Sequence, residues 1–155
     1  MATLYETDLY AWTQDQATKL RGLLVVQPGL DLDFENLAEE IESLGKRDKL
    51  MLGRRLAELD TALVKLAFSL AWEPRRQWKL TALGQRHAIR QVLDYSPSLR
   101  DWLREELPSS HNYALITFDD EKLIRLTMSE PPTTCPFDLD DMLDPNWWPE
   151  PRGAD

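Results

Sequence analysis

A chain of 155 residues with 43% hydrophobic and 29% charged side chains can bury a sizeable core and lacks the low hydrophobicity of a disordered chain. Its net charge of −9 argues against a surface built for polyanions. The opening MATLYETDLYAW has no basic leader, and the most apolar stretch, residues 62–72, is short and interrupted by Lys65, so neither a secretory signal nor a membrane span is expected.

The charge is unevenly spread. Residues 1–48 hold ten acids and four bases, residues 49–104 five acids and eleven bases, and residues 105–155 twelve acids and three bases. An acidic start and end that pack against a basic middle neutralise it internally. The lone Cys135 makes no intrachain disulfide, which fits a reducing cytoplasm.

Helical periodicity dominates throughout. A first helix is predicted from about Asp8 to Leu24, capped by Thr7 or Asp8, with Leu9, Trp12, Gln16, Leu20 and Leu23 at steps of three and four. Pro28–Gly29 breaks it. Asp33 then caps a second, central helix whose apolar row runs Leu37, Ile41, Leu44, Leu52, Leu56, Leu59, Leu63, Leu66 and Leu70, with Asp48 its one polar member. That helix is expected to reach about Trp72 before Pro74, either unbroken or bent at Gly45, where glycine costs about 1 kcal/mol relative to alanine. A third helix spans about Arg75–Tyr95 with Trp78, Ala82, Ile89, Val92 and Leu93 turned inward. Ser96 and Pro97 open a fourth, and Pro108 ends it. SSHN, residues 109–112, reads as a loop, followed by a fifth helix from Tyr113 to Met128, with a short strand opening at ITF, residues 116–118, as the alternative. Six of the ten prolines lie after Glu130, leaving room for one short helix, Leu139–Leu143, capped by Asp138. Phe137, Leu139, Leu143, Trp147 and Trp148 are too apolar for a free tail. The expected fold class is therefore all-α: one domain over 1–155, a helical bundle (1–130) with a long central helix, wrapped by a proline-rich, Trp-containing latch (131–155).

The acidic stretch ENLAEEIESLGKRD, residues 35–48, is the first candidate site. At about 100° per residue, Leu37, Ile41 and Leu44 share one side of the helix and Glu35, Glu39 and Glu42 lie opposite as a solvated face. Glu40 falls about 60° from the centre of the apolar row, at a helix–helix seam where a carboxylate needs a partner. Candidate partners lie in the basic middle, and Glu40, Arg76, Arg86, His87 and Arg90 form the candidate polar seam or pocket. Other chemistries lack their residues. A carboxylate-bridged two-metal centre needs Glu-x-x-His pairs, but Gly84 and Pro108 precede the two histidines by three. One cysteine and two histidines do not supply a four-ligand structural zinc site, so no metal or cofactor is expected. Ser109, Ser110 and His111 lack a nucleophile turn, and Cys135 lacks a basic neighbour. The scattered glycines form no phosphate loop. Residues 72–90 interleave tryptophans with cations, a composition suited to nucleic acid, but Trp78 falls on the apolar face.

Several motifs resemble one family: DLYAWT (8–13), ENLAEEIESLG (35–45), the Trp78, Arg86, Ile89 spacing, SPSLR (96–100) and CPFDLDDMLDPNWWPE (135–150). The chain resembles the bacterial domain of unknown function numbered twenty-nine over nearly its whole length. It departs in having Phe137 where that family commonly shows tryptophan. The resemblance implies a helical protein of the bacterial cytosol and implies no activity. Two readings of function follow. One is a non-catalytic protein-interaction or assembly module, a homodimer or a partner of another protein. The alternative is a small-ligand binder or enzyme using a seam pocket around Glu40, Arg86 and His87.

Overall fold

A computed structural model describes residues 1–27, 29–120 and 129–152. It is all-α, with six helices among those residues: α1 (Leu4–Thr7), α2 (Leu9–Val26), α3 (Phe34–Phe68), α4 (Arg75–Tyr95), α5 (Leu99–Asp120) and α6 (Leu139–Leu143). The packing divides the chain into two compact units, Met1–Met51 with Val92–Arg100, and Leu52–Gln91 with Asp101–Asp155.

In the first unit, Asp8 is the cap of α2, as its residue type suggests: its Oδ1 accepts from Ala11 N at 2.8 Å. The same carboxylate also accepts from the backbone N–H and hydroxyl of Ser98, at 2.8 and 2.9 Å. It thereby serves the first orphan donors of two helices at once. The single turn α1, which the periodicity does not reveal, is closed by Thr3 N donating to Glu6 Oε2 at 2.7 Å.

Helix α2 runs antiparallel to the start of α3, with Tyr10 and Thr13 beside Gly45 and Arg21 beside Glu35 and Glu42. Gly45 does not bend α3, which is continuous. A Cβ there would meet the Tyr10 ring at 2.8 Å and Thr13 Oγ1 at 2.9 Å, so glycine is needed for close approach of the two helices. The buried face of this part of α3 is Phe34, Ala38 and Gly45, turned about 70° from the Leu37–Ile41–Leu44 row on a helical wheel. This rotation corrects three expectations. Leu37 and Leu44 are exposed, at 43% and 44%. Glu40 is exposed as well and makes no hydrogen bond or ion pair among the described residues. Glu42, assigned above to the wet face, is half-buried and holds the Arg21 guanidinium through a two-point fork at 2.5 and 3.2 Å.

The second unit follows its sequence pattern more closely. Leu52, Leu56, Leu59, Leu63 and Leu66 are all buried along α3, as their spacing requires, together with Phe68. The helix stops there, short of Trp72, and Leu70 and Trp72 are exposed. Arg75 supplies the stop: its guanidinium donates to Leu66 O at 2.7 Å and Ser69 O at 3.3 Å, satisfying carbonyls at the helix end. Helix α4 has the bounds expected of it.

Pro108 does not end a helix. Helix α5 passes through it, and SSHN is helical rather than a loop. Pro108 itself is exposed, while Leu99, Leu103, Ser110, His111, Ala114 and Phe118 are buried at steps of three, four and seven. One missing backbone bond on the wet side costs less than unpacking that whole face. The last part of the expected fifth helix, residues 121–128, lies outside the described residues.

After Glu130 the chain returns over the second unit as the latch expected from its apolar content. Phe137, Leu139, Met142 and Leu143 are buried. The Asp138 side chain caps α6 by accepting from Asp140 N at 2.8 Å, and Arg152 N donates to Ala67 O at 2.9 Å.

Candidate functional site

Of the five residues of the expected pocket, Glu40 belongs to the first unit and Arg76, Arg86, His87 and Arg90 to the second. Glu40, Arg76, His87 and Arg90 are exposed, and Arg86 alone is buried. The inward face of α4 carries Arg86 to 1% exposure, where its Nε donates to Met142 O at 2.6 Å and its Nη2 to Trp147 O at 2.8 Å. Its guanidinium carbon sits 4.6 Å from the centre of the Trp148 ring. Burial draws the Arg86 proton affinity down, and the charge of Asp144 opposes that. An arginine planted in this position holds the latch by two backbone carbonyls and an aromatic face. It acts as a structural anchor through Nε and Nη2, while Nη1 is buried with no hydrogen-bond partner among the described residues.

Helix α3 and the continuous helix α5 bring together a cluster that the sequence reading missed. His111 Nδ1 lies 2.6 Å from Asp60 Oδ2, and His111 Nε2 lies 2.9 Å from Pro132 O. Neither a carboxylate nor a carbonyl oxygen donates, so in this arrangement both ring nitrogens carry protons and the ring is an imidazolium. Burial alone would push the imidazole down. The hydrogen bonds to Asp60 and Pro132 overrule it, and the group titrates above the ordinary histidine range. Cys135 Sγ lies 3.7 Å from Asp60 Oδ1 and 3.7 Å from Phe137 O. Burial, and then the neighbouring Asp60 charge, push the Cys135 thiol up to about 12. It is a thiol at neutral pH and no nucleophile. The signal for this cluster was the three- and four-residue spacing of Leu103, Leu107, Ser110, His111 and Ala114, which is visible only once Pro108 is allowed inside a helix.

Two shallow clefts flank α3 in the same unit. One, of about 290 Å³, is lined among others by Arg54, Glu58, Glu106, Ser110 and Tyr113. The other, of about 230 Å³, shares Glu58 and Tyr113 and adds Lys65, Trp78 and Thr117. Ser110 Oγ is buried without a hydrogen-bond partner among the described residues, but the adjacent His111 is engaged elsewhere. Among the described residues neither cleft holds a hydroxyl hydrogen-bonded to a base. The nucleic-acid reading of residues 72–90 also loses an aromatic, because Trp78 is buried.

A run of exposed apolar residues belongs to the first unit. The end of α2 and its connection to α3 carry Leu23, Leu24, Val25, Val26, Leu30 and Leu32, all exposed, with Val25 at 83% and Val26 at 74%. Leu37 and Leu44 on α3 are exposed as well. Among the described residues no helix is long and apolar enough to cross a membrane.

The family described as "Domain of unknown function DUF29" matches residues 4–148. Among solved structures, an alpha-helical protein of unknown function from Rhodospirillum rubrum is similar: it is 21% identical, with 95% of this chain and 93% of that chain covered and a TM-score of 0.74. That likeness shows the fold alone. No curated protein matches.

Proposed function

Since the chain belongs to the family Domain of unknown function DUF29, to which no activity is attached, we propose that it is a non-catalytic assembly module of the bacterial cytoplasm that pairs with a second copy of itself through the apolar surface of its first unit. The observation that carries this reading is the exposure of Leu37 and Leu44, at 43% and 44% among the described residues, two members of a row spaced for helix packing. With Leu23, Leu24, Val25, Val26, Leu30 and Leu32 they make eight large aliphatic residues, each 40% exposed or more. Such a set amounts to several hundred Å² of apolar surface, the size that marks an interaction site and approaches the roughly 800 Å² per partner of a standard interface. An apolar surface needs another apolar surface, and a two-fold symmetric pair supplies an identical one.

Sedimentation velocity of the purified chain tests the reading. The wild type is expected to be a dimer. Val25→Glu and Leu44→Glu, both on exposed positions, are expected to be monomers with unchanged helicity. A wild type that stays monomeric at concentrations on the order of 100 μM, where an interface of standard size is occupied, overturns the proposal. The small-ligand alternative is less favoured, because Glu40 and His87 are exposed and the latch engages two of the Arg86 donors.

A further inference from the structure

We propose that Asp60, His111 and Cys135 form a binding site for a zinc-class divalent cation, which clamps the C-terminal latch to α3 and α5. One carboxylate oxygen, one ring nitrogen and one sulfur from these residues all lie within 4.8 Å of one another. Metal–ligand bonds of about 2.0–2.3 Å in a tetrahedron set neighbouring ligands roughly 3.2–3.8 Å apart. The 3.7 Å between Cys135 Sγ and Asp60 Oδ1 already matches. The 2.6 Å from His111 Nδ1 is to the other oxygen of that carboxylate, Oδ2, and opens by at least about 0.6 Å to admit the ion.

The environment of the histidine supports a metal in particular. Metal-bound histidines donate their other ring N–H to a carbonyl or carboxylate, which fixes the ring and selects the coordinating nitrogen. His111 Nε2 donates to Pro132 O at 2.9 Å, leaving Nδ1 directed at the Asp60 carboxylate. Between those two acceptor atoms something positive has to sit, either a proton or a metal ion.

The exchange is balanced in charge. Without metal the trio is one carboxylate, one imidazolium and one thiol, with no net charge. A divalent cation replaces the Nδ1 proton and the thiol proton, and leaves one carboxylate, one neutral imidazole, one thiolate and the ion, again with no net charge. Two protons go to solvent for each ion bound. Nothing uncompensated is buried, although Asp60 and His111 are both almost wholly enclosed. A mixed oxygen, nitrogen and sulfur set favours zinc and its analogues over calcium or magnesium. Three protein ligands leave a fourth position for water. Thr133 and Thr134 are exposed and Cys135 is half-buried, so the entry path runs from the latch side. The three ligands come from α3, α5 and the latch, so the ion ties three separate segments of the second unit.

The test uses cobalt(II) as the probe on the chelator-stripped, reduced full-length protein near neutral pH. One equivalent of cobalt is expected to bind with a thiolate-to-cobalt charge-transfer absorption, to release two protons into an indicator, and to be displaced by zinc. Zinc alone is expected to raise Tm. Cys135→Ser keeps the Asp60–His111 pair and so keeps the fold; it should lose the charge-transfer band and bind at least about tenfold more weakly. Absence of that band from the folded wild type under excess cobalt overturns the proposal, as does a zinc-induced rise in Tm of equal size in the Cys135→Ser variant.

Discussion

Replacing Gly45 with alanine sets two effects of opposite sign against each other. Inside a helix, alanine is favoured over glycine by about 1 kcal/mol, because the unfolded chain loses freedom and the helix gains a better former. At Gly45 the added carbon would lie 2.8 Å from Tyr10 Cδ2, 2.9 Å from Tyr10 Cε2 and 2.9 Å from Thr13 Oγ1, well inside van der Waals contact. None of these atoms moves freely. Thr13 Oγ1 donates to Tyr10 O at 2.7 Å, Tyr10 N donates to Ser96 Oγ at 3.1 Å, and Lys49 Nζ sits 4.8 Å from the centre of the Tyr10 ring. Separating α2 from α3 enough to relieve the clash costs about 1–3 kcal/mol, as overpacking does elsewhere. The clash wins, and Gly45→Ala is expected to lose about 1 kcal/mol net. Gly22 in α2 and Gly84 in α4 are the controls, because a Cβ at either meets nothing within 4 Å. Their alanine variants are expected to gain about 0.5–1 kcal/mol each. Urea titration followed by far-UV circular dichroism reads the difference, since 1 kcal/mol moves the midpoint by about 0.3–1 M at ordinary slopes. If Gly45→Ala shifts the midpoint upward like Gly22→Ala, the close-approach argument is wrong.

Arg86→Met strips donors from Met142 O and Trp147 O while keeping most of the buried volume. It is expected to cost about 2–5 kcal/mol, read as a lower Tm and as earlier proteolytic clipping of the latch. Asp60→Asn in metal-free protein leaves the His111 imidazolium without its counter-charge, and a loss of about 3–5 kcal/mol is expected by thermal denaturation. Burial holds the Asp48 carboxyl above its ordinary range. A folded pKa above the unfolded one means that ionised Asp48 opposes folding at neutral pH, and that this penalty vanishes below the unfolded value of about 3.9. Asp48→Asn is therefore expected to raise Tm at pH 7, with the gain shrinking as the pH falls through the folded pKa and gone near pH 4. A gain that is equal at both pH values would assign the effect to something other than the charge.

What could be read from the sequence depended on which atoms make the contacts. Leu52 through Leu66 were legible because large aliphatics at helical spacing pack one another, and the wheel weights residues by that bulk. The first part of α3 was not, because its seam is built on Ala38 and Gly45, where closeness of two backbones replaces bulk. From that one rotation follow the exposure of Leu37 and Leu44, the loss of Glu40 from the seam and the pairing of Glu42 with Arg21. The Asp60–His111 pair was hidden differently. Its members are 51 residues apart, and one of them had been assigned to a loop on the strength of Pro108. A proline on a wet helix face forfeits one bond, whereas the buried side of α5 offers six packed side chains, so the local rule yields to tertiary packing. Arg86 shows the remaining limit. Its place on the apolar face of α4 follows from the spacing of Trp78, Ala82 and Ile89. A buried arginine there demands acceptors. Those acceptors are the carbonyls of Met142 and Trp147, and every residue has a carbonyl. A carbonyl acceptor leaves no side chain in the sequence to mark it, whereas a charge partner would have been an acid.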